Sequence, residues 1–155
     1  MERIVINSGL NGFILLDEIM ETNAESMTAH KRFVDVPVWL GMESLAQLGA
    51  LHVRFLTGFE RHAFLLAVKS CKMISKDLLN GEFHLHARLK AHSLSAFSYE
   101  LRAVERGPGR EDLLRMEGEL LFATVEYDTV FKGEILQAHY RKVFSCLKKG
   151  SRTGC

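Results

Sequence analysis

Glu43 and Gln47 stand four residues apart in the run Pro37-Val38-Trp39-Leu40-Gly41-Met42-Glu43-Ser44-Leu45-Ala46-Gln47-Leu48-Gly49-Ala50-Leu51. In a helix that spacing puts both on one face. The run is apolar on nearly every side, and a carboxylate is rarely buried in such surroundings unless it is paired or used. A carboxylate and an amide near a helix start suit chemistry at a carbonyl. The carboxylate moves a proton or activates water, while free N–H groups and the helix dipole hold a developing oxyanion. The donors expected for this are the backbone N–H groups near Leu40 and Gly41, where glycine permits close approach. Trp39 and Met42 flank the pair and, with Leu40 and Gly41, are expected to line the substrate site. Structural alternatives stand beside each assignment. Glu43 also suits an ion pair across a dimer, Gln47 the satisfaction of backbone groups, and Trp39 and Met42 plain core packing.

Other polar residues carry weaker chemistry. Asp35, two residues before Pro37, is placed to cap the helix. His52 shares a helix face with Leu45 and Leu48, which reads as a hydrogen-bonded core histidine. Glu82, His84 and His86 share one face of a strand and raise the question of a metal, but a wet sheet face explains them better and no metal is expected. Arg54, Lys69 and Lys72 suit a phosphopantetheine or nucleotide phosphate, with solvated surface charge as the default.

The elements that must position these groups follow from patterning. Residues 13–21 and 25–33 read as two strands around the turn Thr22-Asn23-Ala24. Proline favours the first turn of a helix, so the helix runs from Pro37 to about Leu56, ended by Thr57-Gly58. Residues 62–73 read as a strand and 78–82 as a turn. From Glu82 to Ser93 the chain alternates, with Phe83, Leu85, Ala87 and Leu89 on one face. Residues 95–106 and 113–127 are two more strands around the turn Gly107-Pro108-Gly109-Arg110. Ile135, Leu136, His139, Tyr140, Val143, Phe144 and Leu147 recur at helical spacing and predict an amphipathic C-terminal helix, assigned to packing. The fold class is α+β: one antiparallel sheet around a long central helix. A helix apolar all round needs more cover than one sheet gives, which a second subunit can supply.

With 155 residues, 47% hydrophobic and 25% charged, the chain suits a single domain, residues 1–147, with a disordered tail at 148–155. A net charge of +1 gives no electrostatic case for nucleic acid. The start Met1-Glu2-Arg3-Ile4-Val5 does not read as a signal peptide, and no apolar run reaches membrane-spanning length. Cys71, Cys146 and Cys155 are scattered and lack metal spacing, so a reduced, cytoplasmic protein is expected.

Three ordered segments resemble one family. Phe13-Ile14-Leu15-Leu16-Asp17-Glu18-Ile19 resembles the opening FLLVDRV strand of the 3-hydroxyacyl-(acyl carrier protein) dehydratases of the hotdog fold. Leu40-Gly41-Met42-Glu43-Ser44-Leu45-Ala46-Gln47 is similar to their active-site helix, where an acidic residue precedes a glutamine by four. Phe64-Leu65-Leu66-Ala67-Val68-Lys69, Lys72-Met73 and Leu79-Asn80-Gly81-Glu82 resemble their FLAGID…RF…VPGD stretch. The resemblance covers roughly residues 10–125. It implies a hotdog domain, a homodimer or higher oligomer, and an acyl thioester substrate carried on the phosphopantetheine of an acyl carrier protein or on CoA, with no cofactor of the protein's own. It also implies Glu43 as a catalytic residue assisted by Gln47. The family's GHFPG loop, which carries its histidine, is missing before the helix. His30, thirteen residues before Glu43, is the nearest candidate, although it falls within a strand. Dehydration of a 3-hydroxyacyl thioester is the function implied. Thioester hydrolysis needs no such histidine and is the first alternative, and a non-catalytic acyl-binding or partner-binding subunit is the second.

Overall fold

The computed structural model describes residues 14–127 and 133–148. The elements are β1 (Glu18–Thr22), β2 (Ser26–Val36), α1 (Val38–Leu56), β3 (Arg61–Met73), β4 (Leu79–His92), β5 (Ala96–Glu105), β6 (Leu113–Glu126) and α2 (Gly133–Lys148). The six strands form one sheet in the order β1-β2-β4-β5-β6-β3, with every neighbouring pair antiparallel. β1 and β3 are the edges. No helix of the described residues is long and apolar enough to cross a membrane.

One face of the sheet carries the core. Met27, Ala29, Phe33, Phe83, Leu85, Ala87, Tyr99, Leu101, Met116, Leu120 and Phe122 are buried and alternate with wetter neighbours along their strands, as the two-residue period of a strand requires. α1 lies across this face with Leu45, Leu48, Leu51 and His52 buried. Two glycines set its distance. A Cβ on Gly41 would stand 2.8 Å from Leu79 Cδ1, and one on Gly49 2.5 Å from Phe122 Cζ. A larger residue at either place lifts the helix off the sheet.

The ends of α1 follow local chemistry. Pro37, with φ −67°, precedes the first turn, and no side chain caps it. Asp35 is therefore not the cap that its position suggests. The β2–β4 register shifts between Phe33 and Val36, Asp35 takes φ 49°, and its N–H donates to Asn80 Oδ1 at 2.8 Å. That bulge keeps it in the strand connection rather than at the helix. At the other end Phe59 N–H donates to Arg54 O at 2.7 Å, and Gly58 N–H to Phe55 O at 3.1 Å.

Three further expectations need correction. Residues 79–82 are not a turn but the start of β4, because Leu79, Gly81 and Glu82 continue the ladder opposite Val36, Phe33 and Arg32. Cys146 is disulfide-bonded and Cys71 is a free thiol, so the expectation of reduced cysteines throughout fails. Of the expected tail, Lys148 closes α2; residues 149–155 lie outside the described residues, as do Phe13 and the start at Met1. α2 docks by Phe144, which stacks on Phe55 with ring centres 5.6 Å apart and meets Phe59 at 5.5 Å.

Candidate active site

Along one side of α1, Glu43, Ala46, Gln47, Ala50, Leu51 and Arg54 line one cavity of about 350 Å³. Their spacing is a single helical stripe. Ala63, Phe64 and Leu65 of β3 close one wall, and His139, Tyr140, Val143 and Leu147 of α2 close another. Glu43 and Gln47 thus share a cavity. Glu43 is exposed in the single chain, not buried as the apolar run suggests, because the sheet covers only the opposite side of the helix. Gln47 Oε1 accepts the Leu15 N–H at 2.8 Å, which ties the segment before β1 to the helix.

Arg54 corrects the expectation of a solvated charge. It is 6% exposed. Its Nη2 donates to Ala63 O at 2.7 Å, and its guanidinium lies 3.7 Å from the centre of the Tyr140 ring, a cation–π geometry. Its Nε is buried with no hydrogen-bond partner. The buried Tyr127 hydroxyl lies beside the guanidinium and interacts with it, although the contact falls short of hydrogen-bond geometry. No carboxylate of the described residues pairs with Arg54. Burial pulls its pKa below the ordinary value, against the opposing influence of Tyr140 and Tyr127.

His139 is the residue that sequence reasoning missed. Its helical spacing identified a packing face, but that face's partner is α1, far away in the chain. Burial, then the charges of Arg54 and Lys142, hold the His139 pKa below its usual 6.5. The imidazole is therefore neutral at pH 7 and able to accept a proton.

The structure does not bring the other expected residues to this cavity. His30 sits on the outer face of β2, opposite the buried Met27 and Ala29, and its Nε2 pairs with Glu82 Oε2. The sheet separates it from Glu43. Leu40 N–H is not free, since it donates to Pro37 O at 3.0 Å. Gly41 is buried against Leu79 and Met116. Trp39 is exposed, and Met42 Sδ accepts the Cys71 thiol at 3.6 Å. None of these four lines the cavity.

His52 is the hydrogen-bonded core histidine that its helix position predicts. Nε2 stands 2.7 Å from the Asn23 carbonyl and Nδ1 2.6 Å from the Tyr99 hydroxyl. A carbonyl only accepts, so Nε2 carries the hydrogen and Nδ1 accepts from the tyrosine. Burial lowers the His52 pKa and raises that of Tyr99. His84 and His86 lie with Glu82 on the outer sheet face. Burial lowers both histidines, helped by Arg106 and His30 at His84 and by Arg102 and His84 at His86. Among the described residues no group of three histidine, cysteine or acidic side chains is arranged to hold a metal. Lys69 and Lys72 are exposed on β3.

No protein-family model and no curated protein matches the sequence. Solved structures do match. A thioesterase family protein from Silicibacter pomeroyi superposes with a TM-score of 0.63 at 7% identity, covering 73% of this chain and 87% of that one. The dehydratase heterocomplex ApeI:P from Xenorhabdus doucetiae contains a chain with a TM-score of 0.58 at 12% identity, covering 76% and 85%. A mutant thioesterase from Pseudomonas aeruginosa gives 0.55 at 15% identity, covering 70% and 81%. The fold is the hotdog fold. At these identities the likeness extends to the fold alone.

Proposed function

We propose that this chain processes acyl thioesters, and that its reaction is dehydration of a 3-hydroxyacyl thioester. The observation that carries this reading is Glu43 and His139 lining one largely apolar cavity. Dehydration needs two proton-transferring groups. His139, held neutral, takes a proton from C2. Glu43 delivers a proton to the hydroxyl on C3. The C3–O bond breaks, a double bond forms between C2 and C3, and water leaves. The carrier, an acyl carrier protein or CoA, supplies the phosphopantetheine arm, and no other cofactor takes part.

The exposure of Glu43 favours a second reading, hydrolysis, in which the carboxylate activates water against the thioester carbonyl. One experiment separates the two. Purified protein is mixed with 3-hydroxyacyl and saturated acyl thioesters of several lengths, and products are weighed by mass spectrometry beside Glu43→Gln and His139→Gln. Loss of water from the hydroxyacyl substrates, diminished in both variants, supports dehydration. Free acid from the saturated substrates supports hydrolysis. No turnover of any substrate overturns both and leaves a binding subunit.

A homodimer belongs to the same proposal. β3 is an edge strand with Leu65, Leu66 and Val68 exposed, and such an edge pairs readily with another strand. A second copy placed there would extend the sheet beyond β3. Light scattering on the wild type and on Val68→Lys tests it, with a dimer expected for the first and a monomer for the second.

A further inference from the structure

α2 is anchored from its C-terminal half. Val143 and Leu147 are its buried residues, Phe144 stacks on Phe55 and meets Phe59, and Arg141 Nη2 donates to Gly58 O at 2.9 Å. No residue of α2 before His139 is buried. At the level of His139 the helix is tied to α1 by the next residue, Tyr140, whose ring centre lies 3.7 Å from the Arg54 guanidinium. The His139 and Tyr140 rings stand edge to face, with centres 5.1 Å apart.

Arg54 is held so that it can make that contact. Nη2 donates to Ala63 O, which sets the guanidinium against β3, and the Tyr127 hydroxyl lies beside it. A planar cation held by its edge offers its face to an aromatic ring. A buried cation with no carboxylate partner is costly, and a helix that needed only packing could be held by an apolar side chain without that cost. Arg54, Tyr140 and His139 line the same cavity, so the contact decides where the imidazole stands.

We propose that Arg54 is a positioning residue: by gripping the Tyr140 ring it holds the first half of α2 over the cavity and keeps the His139 imidazole in reach of the substrate's C2. Arg54 acts through Tyr140 and not on the substrate. This rests on the dehydration reading for the role of His139.

The position has an ionisation signature. α2 packs against α1, β1 and β3. The charges that act on His139 are Arg54 of α1 and Lys142 of its own helix. Glu43 of α1 lines the same cavity, Glu18 and Glu21 of β1 are exposed, Arg61 of β3 pairs with Glu126, and His62 lies against Phe64 and Tyr127. Burial first, then the Arg54 and Lys142 charges, lower the His139 pKa. Once the grip is lost, the imidazole gains water and moves from the Arg54 charge, so its pKa rises towards 6.5.

The test follows histidine ring signals by NMR against pH in the wild type, Arg54→Met, Tyr140→Leu and the double variant. The His139 signal is identified by its loss in His139→Gln. Its midpoint is expected to be higher in each single variant than in the wild type. The double variant is expected to add nothing further, as for two halves of one contact. Arg54→Lys keeps the cation without the plane and should fall between Arg54→Met and the wild type. His86, on the outer sheet face, should keep its wild-type midpoint throughout. With a 3-hydroxyacyl thioester, kcat is expected to fall about 10²-fold in each single variant with KM nearly unchanged, and the acid limb of the pH profile to move to higher pH. A His139 midpoint unmoved in both single variants, shifts that add in the double variant, or a His86 midpoint that moves as well overturns the proposal, and dehydration by the wild type then leaves the reading of the site intact. Moved His139 midpoints in a protein that dehydrates nothing leave the grip standing and remove the dehydration reading. A misfolded Arg54→Met protein does not obscure the result, because Tyr140→Leu tests the same contact with Arg54 in place.

Discussion

Two groups of histidines and charged residues lie on opposite sides of the sheet. On the outer face, His30 pairs with Glu82, Arg88 with Glu100 and Lys90 with Glu119. Each of these charges has an opposite charge on the same sheet face and water around it. In the cavity between α1, β3 and α2, Glu43, His139 and Arg54 line the same space, and Arg54 has no carboxylate partner among the described residues. The outer cluster has the denser histidine pattern, so by residue type it looks the richer in chemistry. Environment reverses that order. Charges already matched in water have little left to give a substrate, whereas unmatched groups beside an apolar cavity interact strongly with whatever enters it.

The sharpest way to break this contrast is to remove the cavity carboxylate. Glu43→Gln is expected to lower turnover by about 10²- to 10⁴-fold, the usual contribution of a positioned acid or base. Glu43 is exposed, so its urea midpoint should stay that of the wild type. A fall in stability equal to the fall in rate would instead make Glu43 structural.

His52→Leu should act in the opposite sense, on stability before chemistry. It strands the buried Tyr99 hydroxyl and takes a donor from the Asn23 carbonyl, at about 1–3 kcal/mol for the hydroxyl left without a partner. Urea unfolding measures it. The wild type also carries a pH signature. The folded His52 pKa lies below its usual 6.5, so the unfolded chain binds more protons as pH falls past 6.5. The stability that His52 contributes is complete above that pH and declines below it. His52→Leu should flatten the decline in unfolding free energy between pH 7 and pH 5.

Gly49→Val probes the contact that sets the helix on the sheet. The new Cβ meets the Phe122 ring, and overpacking of this kind costs about 1–3 kcal/mol. Thermal melting should show it. The smallest effect is expected on the outer face. Glu82→Gln breaks the His30 contact, and an exposed pair of that kind is worth about 0–1 kcal/mol, with no effect on turnover.

Much of this arrangement was legible in the chain. Phe83, Leu85 and Ala87 alternate with Glu82, His84 and His86 because one sheet face is dry and the other wet, and that pattern is local. The Pro37 start of α1 and the Gly107-Pro108-Gly109 turn are likewise set by residues adjacent in sequence. The errors were non-local. The bulge that removes Asp35 from the helix end depends on Asn80, and the burial of Arg54 depends on Tyr140 and Ala63. His139 reaches the cavity only because α2 folds back over α1 through Phe144, Phe55 and Phe59. The exposure of Glu43 was misread because an apolar helix does not announce which of its sides the sheet will cover. Nothing local in the sequence encodes these meetings.

The most direct measurement compares wild-type, Glu43→Gln and Glu82→Gln proteins for loss of water from one 3-hydroxyacyl thioester. Dehydration by the wild type, its near-abolition in Glu43→Gln and its retention in Glu82→Gln would place the chemistry in the cavity between α1 and α2. Wild-type turnover in Glu43→Gln, loss of turnover in Glu82→Gln, or no dehydration by the wild type would contradict it.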